Sequence, residues 1–63
     1  MTIVKQMALG DIMYFNQDAK DILLDMGMSF VTFPLAQRES LESACEIYNL
    51  EVNEVLGRLN GAA

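Results

Sequence analysis

Apolar residues recur at helical spacing in four places along this chain of 63 residues, and that periodicity restricts the fold more than any other feature. Leu9, Ile12 and Met13 form a short stripe at i, i+3, i+4. Ala19, Ile22, Leu23 and Met26 extend the pattern to i+7, as do Leu41, Ala44, Cys45 and Tyr48, and then Val52, Val55, Leu56 and Leu59. Side chains so spaced share one face of an α-helix, and each such face must be buried against another. Punctuation agrees with the stripes. Asn16 is placed to cap the second helix, with Asp18 in its first turn, and Ser40 to cap the third, with Glu42 following. Gly27 and Asn49 are residues that tolerate the left-handed backbone at a helix end, and Asn60-Gly61 ends the fourth stripe. Pro34 suits the first position of a short helical turn. Phe30 to Phe33 has strand-like composition but no partner strand, so the spacing predicts an extended loop there. The expectation is one all-α domain, residues 1–63, of four to five short helices in an irregular or orthogonal bundle. The helices are too short and their connections too unequal for a strict antiparallel bundle.

Composition narrows function by exclusion. The 52% hydrophobic content separates the chain from disordered sequences. One cysteine rules out an intrachain disulfide, and the absence of histidine removes the commonest metal ligand and general base. Ser29, Thr32 and Ser40 therefore have no histidine to activate them. Asp21 and Asp25 are four residues apart, but two carboxylates without a cleft make no acid/base pair. No enzyme, cofactor or metal is expected. Net charge is −5, and the only cations are Lys5, Lys20, Arg38 and Arg58, scattered along the chain. Phosphate backbones and anionic lipid surfaces require clustered cations, so neither nucleic acid nor membrane is an expected partner. A neutral or basic protein, or a second copy of the chain, fits better. Residues 1–10 lack the apolar stretch of a signal peptide, and no run reaches membrane-spanning length, so a cytoplasmic setting is expected. Met7, Met13, Met26 and Met28 read as core filler, with Met13 and Met28 also placed to border a surface patch. Cys45 reads as a buried, inert thiol.

Short segments in a fixed order also carry a family likeness. They are Lys5-Gln6-Met7, Leu9-Gly10-Asp11-Ile12, Asp18-Ala19, Gly27-Met28, Pro34-Leu35-Ala36, Glu39-Ser40-Leu41-Glu42-Ser43-Ala44, Leu50-Glu51-Val52-Asn53-Glu54-Val55-Leu56 and Leu59-Asn60. Together they resemble the hybrid-cluster-protein-associated redox disulfide domain family, small bacterial domains of unknown function. The resemblance implies an all-α fold of four or five helices. That family carries a Cys-x-x-Cys pair just before the Pro34-Leu35 position; here those two places hold Phe30 and Phe33. Thiol–disulfide exchange needs a thiolate and a disulfide sulfur, so the redox activity implied by the family does not carry over. Tyr14 and Phe15 stand where the family is charged or polar, Ala8 where a capping Thr is frequent, and Asn49 in place of a common glycine. Gly57 interrupts the fourth stripe.

The substitutions point to one surface. At 100° per residue Tyr14 projects nearly opposite the first stripe, and Phe15 lies at its flank. In the resembled family the loop at residues 30–33 presents reachable cysteines, which implies that a ring placed there stands near solvent. The alternative is that Phe30, Val31 and Phe33 fold inward and complete a small core. On the first reading Tyr14, Phe15, Met28, Phe30, Val31 and Phe33 form an aromatic docking patch for another protein. The same patch pairing across a two-fold axis would make a homodimer, and a degenerate redox accessory domain would rely on Cys45 alone. Exposed aromatics with loss of both cysteines are also what grafting an interface onto a redox-domain scaffold leaves behind, and natural divergence leaves the same trace.

Overall fold

The computed structural model describes residues 2–61 and contains four α-helices: α1 (Leu9–Phe15), α2 (Ala19–Asp25), α3 (Leu41–Tyr48) and α4 (Val52–Leu59). Two 3₁₀ turns, Ser29–Thr32 and Pro34–Arg38, connect α2 to α3. Among the described residues there is no strand, only an isolated antiparallel bridge between Ala8 and Ser40. The fold is all-α, as the stripes required. α2 packs against α1, α4 and the first 3₁₀ turn, α3 packs against α4, and the second 3₁₀ turn lies along α1. No helix is long and apolar enough to cross a membrane.

The stripes become one core. Leu9, Ile12, Ala19, Leu23, Leu41, Ala44, Cys45, Val55 and Leu59 are buried together, and Met7, Met13 and Met26 pack against them. Among the described residues every buried side chain is apolar.

Helix ends are satisfied by named partners. The Ser40 hydroxyl accepts from the Ser43 N–H at 3.1 Å, capping α3, and the Glu51 carboxylate does the same for α4 through the Glu54 N–H. Asn49 takes the left-handed conformation (φ 56°), and the Leu50 N–H closes onto the Cys45 carbonyl at 2.8 Å. Gly27 (φ +100°) performs the same reversal after α2. Ala8 offers α1 no side-chain acceptor. Instead the segments leading into α1 and α3 lie side by side. The Leu9 N–H donates to the Glu39 carbonyl (2.8 Å) and the Leu41 N–H to the Met7 carbonyl (2.9 Å), so each helix start lends the other an acceptor.

Two asparagines fasten the chain over long sequence distances. Asn16 accepts from the Asp18 N–H at 2.9 Å, forming the turn into α2, while its amide donates to the Leu59 carbonyl at the end of α4, also at 2.9 Å. Asp18, not Asn16, is the residue directly preceding α2, and its side chain makes no capping bond. The Asn60 amide bonds both backbone groups of Ile3, accepting at 2.8 Å and donating at 3.1 Å, and so holds the N-terminal segment against the end of α4.

The segment Phe30 to Phe33 is not extended. Val31 donates to the Met28 carbonyl and Phe33 to the Phe30 carbonyl, which closes a 3₁₀ turn. With no neighbouring strand to pair with, these backbone groups find partners three residues back.

Candidate functional site

The surface under consideration is built where α1 meets the second 3₁₀ turn. Leu9 and Ile12 point inward from α1 and are fully buried. Gly10 faces the turn so closely that a Cβ there would stand 3.1 Å from Gln37 Cβ and 3.2 Å from the Gln37 carbonyl oxygen. Going forward from Leu9, bonded to Glu39, to Gly10, against Gln37, means going backward along the turn. The two segments therefore run antiparallel. On ideal rises, the four residues from Gly10 to Tyr14, about 6 Å along the helix, match about three residues back from Gln37 along the turn, which puts Tyr14 at the level of Pro34, between Phe33 and Leu35. Tyr14 lies 40° from Gly10 around the helix, on the side toward the turn, and Phe15 lies a further 100° outward.

Four large apolar side chains stand out from this seam: Tyr14 is 81% exposed, Leu35 80%, Phe33 62% and Phe15 59%. The Tyr14 and Phe15 rings meet edge to face, centroids 5.1 Å apart at 87°. That contact fixes their mutual orientation without removing either from water. Leu35 was not among the residues selected from sequence. Its signal lies in the short period of the turn: Ala36 is the buried residue there, and its neighbours on either side, Leu35 and Gln37, must point away.

Three of the selected residues sit elsewhere than expected. Met28 and Val31 are fully buried, not surface contacts. They are three residues apart across a 3₁₀ turn, where i and i+3 eclipse, so both face the core. Phe30 is half-buried against Tyr48, ring centroids 5.0 Å apart, and its N–H donates to the Tyr48 hydroxyl at 3.2 Å. Of the Phe30 and Phe33 pair, only Phe33 is presented outward. The patch that remains from the selection is Tyr14, Phe15 and Phe33.

Charge around the seam comes from Asp11, Arg38 and the half-buried Glu39, whose carbonyl holds the Leu9 N–H. Asp11 lies on α1 one turn before Tyr14 and Phe15, at i+3 and i+4 spacing. Arg38 follows Leu35 by three residues and shares its face of the 3₁₀ turn. Both are exposed. The ion pairs among the described residues are Lys5 with Glu42 at 3.2 Å and Arg58 with Asp25 at 3.1 Å, and neither involves Asp11 or Arg38.

A shallow depression of about 410 Å³ lies between α3 and α4, with Glu42, Glu46 and Glu51 at its rim and Cys45 below. Burial, with the Glu51 charge adding to it, pushes the Cys45 thiol above its ordinary value, which disfavours the nucleophilic thiolate. Among the described residues no three His, Cys, Asp or Glu side chains are grouped to hold a metal ion.

Comparison with protein-family models, with curated proteins and with solved structures returned no match in any of the three.

Proposed function

We propose that this chain is a non-enzymatic protein-binding domain that docks through Tyr14, Phe15, Phe33 and Leu35. The observation that carries this reading is the gathering of four exposed, large apolar side chains on two segments packed side by side. Scattered surface apolars need no explanation. A set on two adjacent segments, together exposing about 500 Å² of ring and branched carbon, lies at the upper end of what a monomer leaves in water. Aromatic anchors of this kind dominate binding energy where they are enclosed by a partner, and the Tyr14 hydroxyl suits the rim of such a contact. The backbone beneath is held by the Leu9–Glu39 bond and the Gly10–Gln37 contact, so little ordering is left to do on docking. The rival reading, a redox accessory domain using Cys45, is weakened by that thiol's burial and its raised proton affinity.

The test places a benzophenone amino acid at position 14 or 33, and at exposed position 54 as control, in cells producing the chain. Irradiation should give a discrete protein adduct from positions 14 and 33 and none from 54. Adding Leu35→Asp, at a side chain the core does not use, should abolish it. No discrete adduct from either aromatic position refutes the reading.

A further inference from the structure

Resting on that reading, we infer that the protein docked on the α1 seam is a second copy of this chain, related by a two-fold axis running along the seam. An isologous contact needs a surface complementary to itself after one side is exchanged for the other. The seam has this property. On its α1 side stand Asp11 and, one turn further, Tyr14 and Phe15. On its 3₁₀ side, by the ideal rises of the two antiparallel segments, stand Arg38, about 3–4 Å along the seam from Asp11, and then Leu35 and Phe33, about 2 Å to either side of the level of Tyr14. A two-fold along the seam sets each side against the opposite side of the other copy at the same level. Tyr14 and Phe15 then meet Phe33 and Leu35, and the Asp11 carboxylate meets the Arg38 guanidinium. Both charges are exposed and belong to no ion pair within the described residues.

Most of the net charge belongs to other elements. Glu39, half-buried with its carbonyl on Leu9, is a further acid at the seam, while Asp21, Asp25, Glu42, Glu46, Glu51 and Glu54 lie on or beside α2, α3 and α4. The molecule measures 28 × 23 × 20 Å, and charges more than about 8 Å apart are largely screened at physiological salt. Area agrees as well. The apolar centre of about 500 Å² with its polar margin approaches the roughly 800 Å² per partner of an ordinary specific interface.

Sedimentation equilibrium from about 10 μM to 1 mM, spanning moderate affinities, provides the test. The mass should rise from 7.0 kDa toward twice that value. Leu35→Asp should keep the chain monomeric throughout, with an unchanged helical circular dichroism spectrum. Asp11→Arg and Arg38→Asp should each weaken association at least five-fold, and the double reversal should restore it to within two-fold. A monomer at 1 mM, association indifferent to Leu35→Asp, or a double variant no better than the single ones overturns the inference. A chain that stays monomeric while position 33 still crosslinks to a different protein removes the second copy and leaves the docking surface standing. No adduct of any kind removes both.

Discussion

Replacing Gly57 by alanine should stabilise the domain, and the size of the gain follows from its surroundings. Gly57 lies inside α4, a helix of eight residues, and a Cβ placed on it meets nothing within 4 Å. The substitution therefore adds neither a clash nor a packing contact. What changes is the backbone entropy that glycine surrenders on entering a helix, worth about 0.8–1 kcal/mol against alanine. For a domain of this length the entropy of unfolding is about 130 cal/mol/K, so the midpoint should rise by roughly 6–8 °C. Thermal and urea unfolding followed by circular dichroism measure it, and an unchanged urea slope would show a change of stability with no change in the surface exposed on unfolding. Two other glycines should gain less or lose. Gly27 sits at φ +100°, where an L-residue is strained, and Gly27→Ala should lose about 1–2 kcal/mol. Gly10→Ala would bring a methyl group to 3.1 Å from Gln37 Cβ and 3.2 Å from its carbonyl oxygen, so the second 3₁₀ turn must give by a few tenths of an ångström, and that cost should cancel much of the helical gain seen at Gly57. A Gly57→Ala gain under 2 °C, or a Gly10→Ala variant as stable as Gly57→Ala, would refute the geometry from which these values are drawn.

Three further outcomes are expected. Ala8→Thr should add about 0.5–1 kcal/mol in urea titration, because residue 8 already holds the extended conformation of a helix cap (φ −70°, ψ 146°) and lacks only an acceptor. Tyr48→Phe should remove about 1 kcal/mol by leaving the part-buried Phe30 N–H without its hydroxyl acceptor, and amide exchange at Phe30 should accelerate more than at α4 amides. Cys45 in the native fold should react with a chromogenic disulfide far more slowly than in urea. Its folded thiol holds the proton more tightly than the unfolded one, so this group's contribution to stability is full below the ordinary thiol value and declines as pH rises through it; titration of stability between neutral and alkaline pH in parent and Cys45→Ala checks the sign.

The elements that the sequence exposed most clearly were those whose physics is local. A stripe at i, i+3, i+4, i+7 has one low-energy answer in water, and Ser40, Asn49 and Gly27 each solve a problem confined to one helix end. Asn16 and Asn60 were legible only as punctuation. Their amides reach Leu59 and Ile3, 43 and 57 residues away, and no spacing rule registers a bond that depends on the whole chain having folded. The segment at 28–33 was obscured for a different reason. Phe, Val and Thr favour strands, and that preference was stronger than the period-three signal of Met28 and Val31 until no partner strand was present to satisfy it.

The same distinction explains the candidate surface. Tyr14 and Phe15 were visible because helical phase places them off the buried stripe, and phase is local. Phe33 and Leu35 depend on where a five-residue turn lies against α1, which Gly10 decides by allowing the Gln37 backbone within reach. A side chain at residue 10 would shift the second 3₁₀ turn by a few tenths of an ångström against α1 while leaving every helix intact. The patch is therefore a property of one close approach between backbones, and its four apolar members act as a unit only while that approach is maintained. Stability and docking should accordingly separate under substitution: Gly57→Ala should strengthen the fold and leave association unchanged, whereas Gly10→Ala should weaken association by more than any change in stability accounts for.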